Sequence, residues 1–212
     1  LLFYSAELLP SPTYAVPCHP PPPPSDREFV DAIRNVRNNK APGEDGKPAE
    51  IYKSCVDTLT PCIHEVIERA WRDEVVPNDW GLDILVPILR KVDKTRCENY
   101  GAISAIDVAA KIFAIVLLRR FQSVRDSRKK PNQAGFHAGR GYADQILKLR
   151  RILEFRHSYQ QKTAVYFIDF AVAFHPVHRE SLWRIMALDG IPAKVNAMIK
   201  AYYRSTTVRI LV

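Results

Sequence analysis

The sequence contains little that would mark a secreted, membrane-spanning or disulfide-stapled protein. Only four of its 212 residues are cysteine, and no two of them form a Cys-x-x-Cys pair, so neither a zinc knuckle nor a disulfide framework is indicated. The longest unbroken apolar run, Ile112 to Leu118, is far shorter than the roughly 20 residues of a membrane span. The amino terminus lacks the basic start and small-residue cleavage site of a signal peptide. We therefore expect no membrane span and reduced, partly buried cysteines, with Cys55 and Cys62 on one helix face in the core.

Negative charge is also in short supply. The chain has 23 Asp and Glu against 31 Lys and Arg, which gives a formal net charge of +8. An excess of this size favours a polyanionic partner such as nucleic acid, although it also serves solubility and does not determine the fold. With 47% apolar residues, the composition is that of a globular protein.

The prolines are distributed unevenly. Half of the 16 lie in the first 24 residues, and no helical or strand period survives there, so residues 1–25 are predicted to be an extended Pro-rich lead-in. Apolar residues at helical spacing then predict a short helix with Ser25 or Asp26 as its N-cap. Asn39 to Gly46 contains a proline and two glycines, which predicts a loop.

The rest of the chain alternates between helical and strand patterns, which predicts an α+β domain. The strands at 82–89 and 100–106 are expected to pair as a hairpin or ribbon, and a further strand is predicted at 163–169. Helices are predicted at 48–72 with an interruption near Pro61, from Asp107 into a basic run, at 142–157, at 177–188 and at 193–203, followed by a strand from 206.

The most distinctive carboxylate is Asp169, which ends the apolar run from Thr163. Burial of a carboxylate is costly unless a cation or a hydrogen-bond donor meets it, so this position favours a metal ligand. The alternative is an exposed strand terminus, where Asp is ordinary. Spacing alone does not decide between them, because one carboxylate does not make a metal site.

Four groups of residues follow one another along the chain: 39–46 with 48–50; 86–88, 99–100, 103–104 and 111–113; 133–136, 139–140 and 144–146; and 167–170, 173–174, 179–180 and 182–183. In this order they resemble the reverse transcriptase domain of non-LTR (LINE-type) retrotransposons. The resemblance extends over nearly the whole chain. It implies an RNA-directed DNA polymerase whose fingers and start of the palm lie at 26–162, with a partial palm at 163–212.

The resemblance also implies partners and a cofactor. Polymerases of this family use two Mg²⁺ ions, with Mn²⁺ as an alternative, to transfer a nucleotide. The partners would be an RNA template, a DNA primer and deoxynucleoside triphosphates, in an intracellular, nuclear setting. No membrane partner and no oligomeric state is implied.

Five of the six positions from 169 to 174 carry the implied active-site roles. Asp169 would be the first catalytic carboxylate and a metal ligand, and the backbone carbonyl of Phe170 would complete the metal shell. The backbone N–H groups of Val172 and Ala173 would face the triphosphate. Phe174 would be the steric gate that excludes a ribose 2′-hydroxyl, although a phenylalanine considered by itself is more often a core aromatic.

A basic run near the middle of the chain is the candidate nucleic-acid contact. With the resemblance, we expect these cations to contact template or primer phosphates, which would position the strand without reading its sequence. The alternative is a solvated helix end, where cations suit the helix dipole. The cations are Arg119, Arg120, Arg125, Arg128, Lys129 and Lys130.

The sequence departs from the family pattern in ways that bear on activity. The family's other two catalytic carboxylates form an adjacent Asp pair, and this sequence has no Asp-Asp dipeptide. His175 and Pro176 stand where the family usually has Asp and Ser, and Gly101 stands where Arg is common. We therefore expect the chain to be inactive by itself. The alternatives are a noncatalytic RNA- or DNA-binding remnant and a decayed fragment without stable function, whether from a decayed element copy or an incomplete gene model.

Overall fold

The computed structural model describes residues 21–90, 92–128, 133–136, 139–170, 177–204 and 206–210. Within these residues the protein is mixed α+β, as the sequence predicts, and none of the helices is long and apolar enough to cross a membrane. The elements are α1 (Asp26–Asn35), α2 (Ala49–Ser54), α3 (Val56–Asp73), β1 (Leu82–Leu89), β2 (Tyr100–Ile106), α4 (Val108–Arg128), α5 (Tyr142–Ser158), α6 (Arg179–Leu188), α7 (Ala193–Arg204) and β3 (Thr207–Ile210).

Helix α1 begins where its capping residues place it. The Ser25 hydroxyl accepts a hydrogen bond from the Glu28 amide at 3.4 Å, and the Glu28 carboxylate accepts one from the Ser25 amide at 2.8 Å. This reciprocal capping box satisfies two amides that the first turn leaves without helical partners. Phe29 and Ile33, spaced by four residues, then lie on the buried face of the helix.

The helix predicted at 48–72 is broken at a different residue from the one expected. Cys55, with φ −113° and ψ 30°, separates α2 from α3, and Pro61 lies inside α3. Pro61 removes the backbone hydrogen bond to the carbonyl of residue 57, but α3 continues through it, with Ile63 and Ile67 buried in the core beyond it.

The prediction of buried cysteines is wrong for the three that the structure describes. The buried face of α3 runs through Ile63, Ile67 and Ala70, and Cys62 lies outside this face. Cys55 occupies the junction between two helices. Both thiols are exposed, as is that of Cys97.

The three described strands form one sheet in the order β2-β1-β3. Strands β1 and β2 pair antiparallel from Asp83 opposite Ile106 to Leu89 opposite Tyr100, which confirms the predicted hairpin. Strand β3 lies parallel to β1 on the other side. The sheet thereby joins the last described segment of the chain to its middle third.

The core lies between α1, α3, α4, α6 and α7. Helix α4 supplies its centre, because Ile112, Phe113 and Val116 are fully buried. The Phe113 ring lies 5.5 Å from that of Trp80 and 6.2 Å from that of Tyr202. One hydrophobic cluster therefore holds both halves of the chain together.

The strand predicted at 163–169 does not form. Residues 161–170 have no regular secondary structure and are exposed. A continuous apolar strand needs neighbouring strands and two covered faces, and none of the three described strands pairs with this segment. Helix α5, which precedes it, forms as predicted but has no buried residue.

Candidate functional site

The loop predicted at Asn39 to Gly46 is held at its start by side chains from α2. Asn39 adopts a left-handed conformation with φ 56°, and its amide donates to Glu50 Oε1 at 2.6 Å. This hydrogen bond is the main cause that holds the pKa of Glu50 below its ordinary value. Lys53 Nζ donates to Asn38 Oδ1 at 2.6 Å. Two polar contacts therefore fix the entry of the loop.

The middle of the loop packs against the start of α4. A Cβ on Gly43 would overlap the Asp107 carboxylate and its backbone amide, so only glycine fits this approach. The Asp45 amide donates to Asp107 Oδ1 at 3.1 Å. Arg209 of β3 also forms an ion pair with Glu44 at 2.5 Å. The loop is thereby joined to both α4 and the sheet.

Asp107 is the most deeply buried carboxylate of this region, with 5% of its surface exposed. Burial raises its pKa, and the nearby charge of Asp45 adds to that effect, although the Asp45 amide opposes it. The pKa of Tyr52 is raised to about 12, mainly by burial and then by the charges of Asp45 and Asp107. Ionisation of the Asp107 carboxyl therefore works against the folded state.

A groove of about 530 Å³ lies between this loop, β2 and α4. Its apolar lining includes Ile103 and Ile115, and three cations, Arg37, Lys40 and Lys111, also line it. Among the described residues no Asp or Glu lines the groove. The Lys111 ammonium donates to the carbonyl of Ala41 at 3.4 Å, which links α4 to the loop across it. The groove is thus apolar along its walls and positively charged.

Asp169 lies in the exposed, irregular segment that follows α5. The Phe170 side chain is 75% exposed. Within the described residues no group of three His, Cys, Asp or Glu side chains could hold a metal ion. The predicted roles of Val172, Ala173 and Phe174 lie outside the described residues, and the roles of Asp169 and Phe170 stay predictions.

The described cations of the basic run have partners within the protein. Arg119 donates to the carbonyl of Asp31 at 3.3 Å, and Arg125 pairs with Asp126 at 3.1 Å. Helix α4 ends at Arg128, whose side chain lies outside the described residues together with Lys129 and Lys130. Phosphate contact by this run stays a prediction.

Arg120 has the most extensive internal contacts of the run. Its guanidinium donates to both carboxylate oxygens of Glu28 at 2.8 Å and to the carbonyls of Pro22 and Pro23 at 2.5 and 3.2 Å. It also lies over the Trp71 ring, 5.0 Å from its centroid. The Arg120 hydrogen bond is the main cause that lowers the pKa of Glu28 from 4.5 to about 2. Arg120 therefore fastens the amino-terminal segment and α1 to α4.

Sequence patterns alone did not reveal this contact or the groove. Glu28 and Arg120 are 92 residues apart, and a basic run looks the same whether its cations point inward or outward. The groove likewise combines residues 35–49 with residues 103–118.

No protein-family model matches the chain. The chain is 28% identical over 178 residues to a protein of Xenopus laevis, "Transposon TX1 uncharacterized 149 kDa protein", and the match covers 84% of this chain and 14% of that protein. It is 24% identical over 130 residues to the "Retrovirus-related Pol polyprotein from type-1 retrotransposable element R1" of Bradysia coprophila, covering 60% of this chain and 13% of that protein. Its relatives are transposable-element proteins. These similarities support a retrotransposon-derived origin, and the chain spans about one seventh of the length of the relatives it matches.

Proposed function

We propose that the chain is a segment of the reverse transcriptase of a non-LTR retrotransposon. In this proposal residues 26–162 form the fingers and the start of the palm, and residues 163–212 form part of the palm. The parent protein would be an RNA-directed DNA polymerase. This chain by itself would not polymerise.

The observation that carries the proposal is the assembly of the first two family-like groups around one groove. The loop at 39–46 and the stretch at 103–113 are distant in sequence, yet both contribute to its lining. A positively charged groove suits a nucleic-acid strand, because cations neutralise its phosphates. The similarity to a retrovirus-related Pol polyprotein favours the same class of partner.

The residues present do not fit a two-metal centre. Metal ions, when bound in such polymerases, orient the primer hydroxyl and stabilise the leaving pyrophosphate. Asp169 would supply one carboxylate. Two ions need further ligands, and neither a suitable group among the described residues nor an Asp-Asp pair in the sequence provides them. No chemical step is therefore assigned to this chain.

Primer extension tests the proposed inactivity directly. The purified chain is incubated with a DNA primer on an RNA template, deoxynucleoside triphosphates and Mg²⁺ or Mn²⁺, and we expect no extended product. Extension that is lost in Asp169→Asn would overturn the inactivity while supporting the role of Asp169. Extension that persists in Asp169→Asn would overturn that role as well.

A noncatalytic RNA- or DNA-binding module is the second candidate. It is favoured by the combination of a cationic groove with an exposed Asp169 that belongs to no possible metal-binding group among the described residues. A gel shift over a salt series tests it, because for binding through phosphates the logarithm of the binding constant falls linearly with the logarithm of the salt concentration. Binding without extension would support this candidate, and absence of binding at low salt would exclude it.

A further inference from the structure

A second cationic cavity lies away from the groove, between the first turn of α6 and the last turns of α7. Its volume is about 360 Å³. Three cations and one carboxylate contribute to its lining, together with two aromatic side chains. These residues are Arg179, Glu180, Trp183, Lys200, Tyr203 and Arg204.

One of the three cations is held in place by an aromatic side chain. The Arg179 guanidinium lies over the Tyr203 ring, 5.2 Å from its centroid. The Tyr203 ring in turn contacts the Trp183 ring edge-on at 5.4 Å, and Trp183 is buried in the core. A guanidinium stacked in this way keeps its hydrogen-bonding edge available for an anion and loses less entropy on binding one.

The other two cations lie on one face of α7. Lys200 and Arg204 are four residues apart, so they are neighbours on the helix and repel each other by about 0.2–0.5 kcal/mol. Within the part of the chain that the structure describes, none of the three cations forms an ion pair with a carboxylate. A bound anion would relieve this repulsion.

The helix dipole explains only part of this arrangement. Cations are favourable in the last turns of a helix, which accounts for Lys200 and Arg204 on α7. Arg179 lies in the first turn of α6, where the dipole disfavours a cation. Its stacking on Tyr203, rather than the helix dipole, therefore holds this third cation beside the other two.

We propose that this pocket, the Arg179–Lys200–Arg204 pocket, binds the phosphodiester backbone of a nucleic-acid strand. The choice of nucleic acid among polyanions rests on the proposed function. Two guanidiniums can each engage two phosphate oxygens, and Lys200 adds a point charge. Glu180 also lines the pocket, and its negative charge opposes the anion. The contact would position a strand without reading its bases.

Fluorescence anisotropy of labelled single-stranded RNA and DNA, titrated with the chain over a salt series, tests the proposal. The test variant is Lys200→Gln/Arg204→Gln. The matched control is Arg34→Gln/Arg69→Gln, which removes the same charge from exposed positions of α1 and α3. Each lost phosphate contact lowers the slope of log K against log salt by about 0.7 for a single strand. We expect a change of about 1.4 in the test variant and a wild-type slope in the control.

The outcomes separate this pocket from the proposed function. A wild-type slope in the test variant would overturn the pocket while leaving the proposed function in place. Absence of binding by the wild-type chain at a low salt concentration of about 50 mM would overturn both. The charge-conserving variant Lys200→Arg/Arg204→Lys should keep the slope. If it also loses binding, the effect is structural and the proposal fails. A reduced slope with RNA and DNA alike supports the pocket as a site for either strand, and a reduced slope with only one of them supports the pocket and identifies the strand.

Discussion

Replacement of Arg120 by Gln tests whether this residue of the basic run stabilises the fold. The substitution removes the bidentate ion pair with Glu28, the hydrogen bonds to Pro22 and Pro23 and the stacking on Trp71. We expect a marked loss of stability at neutral pH, because Glu28 would remain partly buried without its partner.

The magnitude follows from the exposure and the pKa of the pair. Removal of one partner from a fully buried ion pair costs about 3–5 kcal/mol, and a fully exposed pair contributes less than about 1 kcal/mol. The side chains here are 15% exposed for Arg120 and 33% exposed for Glu28. A pKa lowered from 4.5 to about 2 corresponds to about 3 kcal/mol, and solvent screening reduces this to about 2 kcal/mol. We therefore expect Arg120→Gln to lower the free energy of unfolding by about 2 kcal/mol.

Urea unfolding as a function of pH gives the sharpest assay. The pKa of Glu28 is lower in the folded state, so its stabilisation is complete above pH 4.5 and is lost as the pH falls towards about 2. The difference between wild type and Arg120→Gln should therefore shrink over this interval. Glu28→Gln is the matched variant, because glutamine can preserve the capping box while it removes the ion pair. The double variant should cost clearly less than the sum of the two single variants.

Two results would refute this reasoning. The first is an Arg120→Gln variant whose stability at pH 7 lies within about 0.5 kcal/mol of wild type, the range of ordinary surface substitutions. The second is a stability difference that does not change between about pH 5 and about pH 2, the interval from just above the ordinary pKa of Glu28 down to its folded value of about 2. A variant of unchanged stability with weaker RNA binding would instead assign Arg120 to the phosphate contact that the sequence suggested.

Three further predictions concern the loop and the thiols. Gly43→Ala should lower the unfolding free energy by about 2 kcal/mol or more, because its Cβ would overlap Asp107; a thermal melt unchanged from wild type would contradict the close approach. Because burial raises the pKa of Asp107, its contribution to stability is complete below its ordinary pKa and is lost as the pH rises through the raised value. Between about pH 4 and about pH 7, which lies above the ordinary pKa of Asp, the stability of wild type should therefore fall more than that of Asp107→Asn. In native protein the thiols of Cys55, Cys62 and Cys97 should react with Ellman's reagent without unfolding, since all three are exposed; protection of any one would contradict its placement.

Local patterns predicted most of the elements because their causes are local. The strands β1 and β2 have the predicted bounds, since β-branched residues and the polar connection between them favour a hairpin. The start of α1 follows from Ser25 and Glu28, which satisfy the first-turn amides within four residues. The overall α+β class follows from the order of these elements.

Predictions that depend on distant partners were less successful. The apolar run at 163–169 indicated a strand, but a run of this kind shows only a preference for burial and does not specify the strand that would pair with it. Helix α5 shows the same limit: its apolar residues predict a buried face, but none of its residues is buried among the described residues. The internal role of Arg120 depends on a residue 92 positions away.

The groove was not predicted as a site. The loop at 39–46 and the stretch at 103–113 belong to successive family-like groups, and the resemblance did not indicate that both would line one groove. The closeness of Gly43 to Asp107 and the three cations of the groove depend on how α4 packs. The Arg179–Lys200–Arg204 pocket was not expected, because its residues come from two helices and no motif contains them all.

The central proposal is that this chain engages an RNA template and a DNA primer, and equilibrium binding of that hybrid tests it most directly. A labelled DNA primer annealed to a longer RNA template is titrated with the chain by fluorescence anisotropy over a range of salt concentrations. The account predicts saturable binding at low salt, with log K falling linearly as log salt rises. Absence of binding at the lowest salt, or binding that does not depend on salt, would contradict it.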